Sequence, residues 1–272
     1  MSDSSPTIQR LLTAEALREP VLREAIRSLR LPAGSRGLDA GCGIGLQALL
    51  MAQEAAGGMH ITGLDIDLEQ LAFGRERVRQ AGYAGRITLC QGDIGRLPFA
   101  AHSFEWAWSA DCIGYPAGDL APLLDELKRV VRPGGSILLL GWSSQQLLPG
   151  YPFLEARLNA TCSAYLPYMQ GKPPEANFMR ASSGMRQVGL VDLQAQTFVG
   201  QVQAPLSEGE AAALTSLFEM LWGQPQPGVS PQDWEAYRRL CEPGSPDFIL
   251  NADGYYAFFT ITLFRGQVQS PG

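Results

Sequence analysis

The chain has 272 residues, 46% of them hydrophobic and 18% charged, enough to bury a substantial core in one large α/β domain or two small ones. Its net charge of −6 removes any global electrostatic case for nucleic acid. Arg10, Arg18, Arg23, Arg27 and Arg30 recur at helical spacing and read as a solvated helix face.

Residues 7–31 predict two helices, broken before Pro20. From Arg36 strands and helices alternate. RGLDA is a short strand, and a helix over 46–55 opens directly from the glycines that follow it. HITGLDID (60–67) is a strand, 68–82 a helix closed by glycine, and RITLCQGD (86–93) a third strand. FEWAWSAD (104–111) is a fourth strand. A helix over 120–131 stops at Pro133-Gly134-Gly135, and SILLLGW (136–142) is a fifth strand. Apolar strands between amphipathic helices predict a parallel sheet covered on both faces, with ligands bound at its carboxyl ends.

The second half is less regular. Residues 143–177 read as an irregular cap of loop and helix, 178–190 as a helix, and 191–203 as a strand. Ser207 and Glu210 have capping-box spacing at the head of a helix over 207–221. A helix follows over 231–240, and 254–268 is a final strand. Five scattered cysteines without a C-x-x-C suggest neither a metal site nor a disulfide framework. With no apolar leader and no run long enough for a membrane span, a cytoplasmic protein with reduced thiols is expected.

The stretch GLDAGCGIG (37–45) limits the ligand. A dinucleotide fingerprint needs a third small residue where Leu46 stands, and a pyrophosphate would sit badly beside Asp39. Glycines at 41, 43 and 45 with Asp39 ahead of them suit a ligand carrying positive charge. This Asp-x-Gly-x-Gly-x-Gly run after a first strand resembles the first motif of class I S-adenosylmethionine-dependent methyltransferases. Asp65-Ile66, Gly92-Asp93-Ile94, Leu97-Pro98-Phe99 and the run LKRVVRPGGSILLL (127–140) resemble the same family in order and spacing.

The resemblance implies a Rossmann-like, seven-stranded, mostly parallel sheet with helices on both faces and the last strand antiparallel. It implies one methyltransferase domain over 1–272: N-terminal helices (1–34), a cofactor core (35–142), a cap (143–177), and the remaining sheet (178–272) with a helical insert near 207–241. Asp39, Gly41, Gly43, Gly45 and Ser109 would hold S-adenosylmethionine and its product S-adenosylhomocysteine. Asp65 would accept from the ribose hydroxyls, Ile66 would pack on adenine, Asp93 would take the adenine amino group, and the Ile94 backbone would face the ring. A local alternative stands for each acid: Asp39 caps a turn, and Asp65 or Asp93 caps the next helix.

The strand-four exit, Ser109 to Tyr115, lacks the Asn/Asp-Pro-Pro-Tyr of nucleobase and glutamine methyltransferases. It looks more like small-molecule enzymes, including the ubiquinone/menaquinone and sterol branches. Asp111 is the one placed candidate for a base or substrate contact. His60 and His102 read as structural or solvated, and Cys112 as a buried thiol. Tyr115, Trp142, Tyr151, Tyr165 and Tyr168 are candidate acceptor contacts, with core packing as the alternative. The 207–241 insert reads either as pocket wall or as a dimer face. Two further functions stay open: cofactor binding without methyl transfer, and, against Leu46 and Asp39, an NAD(P) oxidoreductase.

Overall fold

Pro6–Ser28 is one helix, α1, where two were expected. Pro20 lies inside it. A proline keeps helical φ and loses one backbone bond. The buried side formed by Leu17, Val21, Leu22, Ala25 and Ile26 runs unbroken past it, and that burial outweighs the lost bond. The computed structural model describes residues 5–54, 58–112, 120–162, 171–224 and 228–270. Among them no helix is long and apolar enough to cross a membrane.

Seven strands form one sheet: β1 (Arg36–Ala40), β2 (His60–Asp65), β3 (Ile87–Gln91), β4 (Phe104–Ala110), β5 (Val131–Gln146), β6 (Leu190–Gln203) and β7 (Tyr256–Val268). Their order is β3-β2-β1-β4-β5-β7-β6. The first five pair in parallel. β7 runs antiparallel to both neighbours: Ser143 meets Thr260 while Ser136 meets Arg265, and Gln201 meets Tyr256 while Thr197 meets Thr262. The expected fold class holds.

The chain divides into two compact units. The first comprises Leu22–Trp142, Pro173–Phe198 and Ile261–Gly272. Its helices α2 (Leu46–Glu54), α3 (Leu68–Gln80) and α4 (Leu120–Val130) follow β1, β2 and β4 in the chain. On α4, Leu120, Leu123, Leu124, Leu127 and Val130 form the spaced apolar stripe of a one-sided helix. That stripe packs with Leu38, Ala40, Ala107, Ile137 and Leu139 of the sheet and with Ala181 and Met185 of the short helix α6 (Ala181–Gln187). Arg10 and Arg27 on α1 and Arg30 just past its end are exposed as expected, but Arg18 and Arg23 are half-buried, and Arg23 and Arg27 converge on Glu54 of α2, each at 2.7 Å.

Two further boundaries differ from expectation. α4 runs straight into β5 at Val131, which pairs with Phe104, while Trp106 pairs with Ser136. The Pro133-Gly134-Gly135 triplet is therefore a bulge within a strand rather than a break before one, and Gly134 takes the positive φ of 77° that it needs. Phe178–Arg180 is a single 3₁₀ turn ahead of α6 rather than part of a longer helix.

The second unit comprises Met1–Val21, Ser143–Lys172 and Val199–Thr260. It carries α5 (Pro152–Ala160), α7 (Glu208–Trp222) and α8 (Pro231–Cys241). The expected capping box of Ser207 and Glu210 is complete. Glu155 is buried, and its carboxylate accepts from the Leu147 and Leu148 N–H groups at 2.9–3.0 Å. Arg157 forks onto Asp233 of α8, and Trp222 donates to Asn159. Phe218 stacks on Trp222, and Trp234 on Tyr237. Packing within this unit thus accounts for most of the insert's aromatic residues.

Gly37 on β1 shows how tightly the first unit is built. A Cβ there would overlap the indole of Trp106, whose Nε1 donates to Ser35 at 2.9 Å. Gly37→Ala is expected to lower stability by about 1–3 kcal/mol, the usual cost of overpacking, read from the urea midpoint. Gly85→Ala, with nothing within 4 Å of the new methyl, is expected to leave that midpoint unchanged.

Candidate functional site

Parallel register brings the carboxyl ends of four strands level. Ala40 is paired with Leu64, Leu64 with Cys90, and Asp39 with Trp108. From β1 the chain steps outward through β2 to β3, and from β4 it steps the other way to β5. The gap between β1 and β4 is thus the topological switch point, where open α/β sheets take their ligands. Asp39, Asp65 and Ser109 all lie at this edge.

The glycine loop is pinned to β2. Gly41 N–H and Cys42 N–H both donate to the Leu64 carbonyl, at 2.8 and 3.0 Å. Gly43 N–H donates to Asp65 Oδ2 at 2.8 Å. Gly41 has φ 81° and Gly43 φ 52°, and a Cβ on Gly41 would lie 2.6 Å from Cys112 Sγ. The loop therefore needs glycine twice over, for its backbone angle and for the approach of the β4 exit. Gly45 N–H turns back to the Cys42 carbonyl, and α2 starts at the next residue.

Asp65 does not cap α3. Asp67 does, accepting from Glu69 and Gln70 N–H, while Asp65 Oδ1 accepts from Asp67 N–H at 3.0 Å. Gln70 closes the turn with a bond from Nε2 to Asp67 Oδ2, and its Oε1 would lie 3.0 Å from a Cβ on Gly43. Sequence reasoning passed over Asp67 and Gln70, although their Asp-x-x-Gln spacing is a helix-start signal.

Asp39 is 1% exposed. Burial pushes its carboxyl up to about 7, the negative Asp65 adds to the rise, and the Ala48 N–H of α2 opposes it. Oδ2 has no hydrogen-bond partner. The turn-capping alternative gives that oxygen nothing to hold. Cys42 is pushed up by burial and then by Asp39 and Asp65; Cys112 rises to about 11, chiefly from burial. Neither thiol offers a thiolate nucleophile near neutral pH.

Past β3, Gly92 N–H donates to the Asp65 carbonyl, and Asp93 closes its own turn by accepting from Gly95 N–H at 2.8 Å. Asp93 is exposed and caps a turn, not a helix. Ile66 stands 69% exposed beside Asp65, whereas Ile94 leans on the core. Ser109 is buried and donates to the Ala40 carbonyl at 2.8 Å, tying β4 to β1. Asp111 has φ 50°, and its Oδ1 accepts from Trp142 N–H at 3.0 Å. That bond joins the exit of β4 to Trp142 within β5, which runs on to Gln146 rather than ending at 142 as expected. His60 opens β2 at the far end of the strand, and His102 lies in the turn before β4 with Nδ1 3.3 Å from the Val131 carbonyl. Trp142 is half-buried in the first unit, and Tyr151 is exposed in the second. Tyr115, Tyr165 and Tyr168 lie outside the described residues.

Comparison with known proteins follows this geometry. Residues 38–135 match the family described as a methyltransferase domain. The demethylmenaquinone methyltransferase of Listeria welshimeri is 32% identical over 132 residues, covering 47% of this chain and 53% of that protein. The methyltransferase GfsG of Streptomyces halstedii is 31% identical over 121 residues, covering 44% of this chain and 42% of that one. The chain thus spans about half the length of the curated relatives it matches. Among solved structures, phosphoethanolamine N-methyltransferase 2 of Haemonchus contortus superposes with a TM-score of 0.58 at 19% identity, covering 99% of this chain and 59% of that one. Residues 38–135 match a methyltransferase domain, and the sheet that carries them has the methyltransferase Rossmann-like fold.

Proposed function

We propose that this chain binds S-adenosylmethionine and transfers its methyl group to a small, largely apolar or aromatic metabolite. The observation that carries the reading is Asp39: a buried carboxyl with an unpartnered oxygen, whose charge is opposed by burial and by Asp65 and balanced by no cation. Such a site is short of one positive charge. S-adenosylmethionine carries an ammonium and a sulfonium and no phosphate, so the residues present fit it and disfavour a pyrophosphate. The matching family and the demethylmenaquinone relative support the same reaction class.

S-adenosylmethionine supplies an electrophilic methyl group on its sulfonium. The chain's part is to bind, align and exclude water. Asp39 supplies the negative field for the cationic end. Gly41 and Gly43 keep side chains away from the ligand, Gly45, where a Cβ would meet Leu89 at 3.3 Å, lets the loop pack against β3 and α3, and Ser109 fixes the β1–β4 spacing beside it. Asp65 accepts from the ribose hydroxyls with the lone pairs left after its bonds to Gly43 and Asp67. Ile66, exposed and apolar, covers one face of the adenine; Asp93 and the Ile94 backbone take its edge. Asp111 is held by Trp142 N–H, which suits orientation of the β4 exit against β5 better than proton removal. A small acceptor is supported by the missing Asn/Asp-Pro-Pro-Tyr motif and the net charge of −6. Acceptors that are already ionised phenols, amines or nucleophilic carbons need no base.

Calorimetric titration with S-adenosylhomocysteine, NAD and NADP tests the cofactor. Micromolar binding of S-adenosylhomocysteine alone is expected; binding of NAD or NADP instead overturns the reading. Turnover to S-adenosylhomocysteine with a panel of quinols, phenols and isoprenoids then separates a methyltransferase from a non-methylating binder of the same cofactor. Asp65→Ala is expected to weaken S-adenosylhomocysteine at least tenfold, about 1.4 kcal/mol; unchanged affinity in a folded variant removes Asp65 from the site. The charge on Asp39 sets a pH dependence. A cationic ligand favours the ionised carboxyl, which in the free chain is lost as pH falls through about 7. S-adenosylmethionine is therefore expected to bind about tenfold more weakly at pH 6 than at pH 8, and Asp39→Asn to flatten that profile.

A further inference from the structure

The first unit buries two indoles on one face of β4, and it treats them differently. Trp106 and Trp108 are two residues apart, so they leave the sheet on the same side. Trp106 Nε1 has a buried partner in Ser35. Trp108 is fully buried, and its Nε1 has no partner. An indole nitrogen is a donor only, and leaving it unsatisfied inside a protein costs about 1–3 kcal/mol. Most buried donors are satisfied, so this one calls for an acceptor.

An acceptor on the same face lacks a donor. Asp39 is the register partner of Trp108 on the adjacent parallel strand. Paired residues of neighbouring strands project to the same side, about 4.8 Å apart. The alternate residues confirm the side: Leu38, Ala40 and Ala107 all face the α4 core, which leaves Asp39 and Trp108 together on the opposite face. Asp39 Oδ2 and Trp108 Nε1 are thus a buried acceptor and a buried donor on paired residues, neither with a partner among the described residues and not bonded to each other in this structure.

We infer that Trp108 is a positioning residue for Asp39: its indole N–H donates to Oδ2 when the carboxyl is ionised and holds the charged form ready for the cofactor. The inference rests on the cofactor reading above for its purpose, though not for its geometry. A hydrogen bond to the charged form favours that form. Among the groups acting on Asp39, the Ala48 N–H of α2 supplies one such bond, while Asp65 from β2 repels its charge and the Cys42 and Cys112 thiols stay protonated. Trp108 would supply a second.

The test is NMR titration of the full-length, ligand-free protein from pH 5 to 9. The Trp108 indole ¹H–¹⁵N resonance is expected to shift with the same midpoint as the Asp39 carboxyl carbon, and the shift is expected to vanish in Asp39→Asn. An indole resonance that stays still while Asp39 titrates overturns the inference, and this measurement needs no variant of Trp108. In Trp108→Phe the Asp39 midpoint is expected to rise by about one pH unit, while Trp106→Phe leaves it in place. S-adenosylmethionine should then bind about fivefold more weakly at pH 7 and recover by pH 9, a profile that a loss of packing alone would not produce. An Asp39 midpoint unmoved in a folded Trp108→Phe chain also overturns the inference. Because the titration is made without ligand, failure to bind S-adenosylhomocysteine would count against the cofactor reading and leave the Trp108–Asp39 coupling to stand or fall separately.

Discussion

One hydrogen bond organises the candidate site: Gly43 N–H to Asp65 Oδ2. It joins the loop after β1 to the end of β2, and the Leu64 carbonyl reinforces it with two more N–H groups from the same loop. The loop cannot lift without exposing three donors that have no other partner. Its glycines are the counterpart of that constraint. A chain held so close to β2 and to Cys112 has room for hydrogen at Gly41 and not for a methyl group. Asp65 thus sets the loop's shape with the same carboxylate that the proposed ribose contact would use, so a change there is expected to disturb both.

The two acids of the site have opposite surroundings. Asp65 stands at the rim with backbone N–H groups on both oxygens. Asp39 lies in the interior with one oxygen unsupported. Burial raises the Asp39 carboxyl, and repulsion from Asp65 adds to the rise. Burial, with the same two acids, also holds Cys42 and Cys112 as thiols near neutral pH.

The first half of the fold was legible because its signals are local. Apolar strands, a glycine-stopped helix and the run from Asp39 to Gly45 report backbone needs that the sequence displays directly. The capping box at Ser207 was legible for the same reason. Pro20 misled because a proline's preference is weak beside a continuous buried stripe, and that stripe is a tertiary fact. Pro133-Gly134-Gly135 misled because the same residues serve a bulge and a break equally well; the pairing of Val131 with Phe104 decides between them. At the site, position was readable and satisfaction was not. Nothing in the letters says that Trp106 finds Ser35, or that Asp67 rather than Asp65 caps α3. The acceptor's contacts were the least legible, because aromatic residues suit a core and a pocket alike.

The strand order also sets a timetable for synthesis. β7 is the last strand made, yet it lies between β5 and β6. Until residues 256–268 have left the ribosome, β6 has no neighbour to pair with and the outer side of β5 stays open. The first five strands can assemble earlier, since each pairs with strands already made. Closure of the sheet therefore waits for β7. A nascent chain stalled before β7 presents two unpaired strands, the kind of edge that recruits chaperones or aggregates.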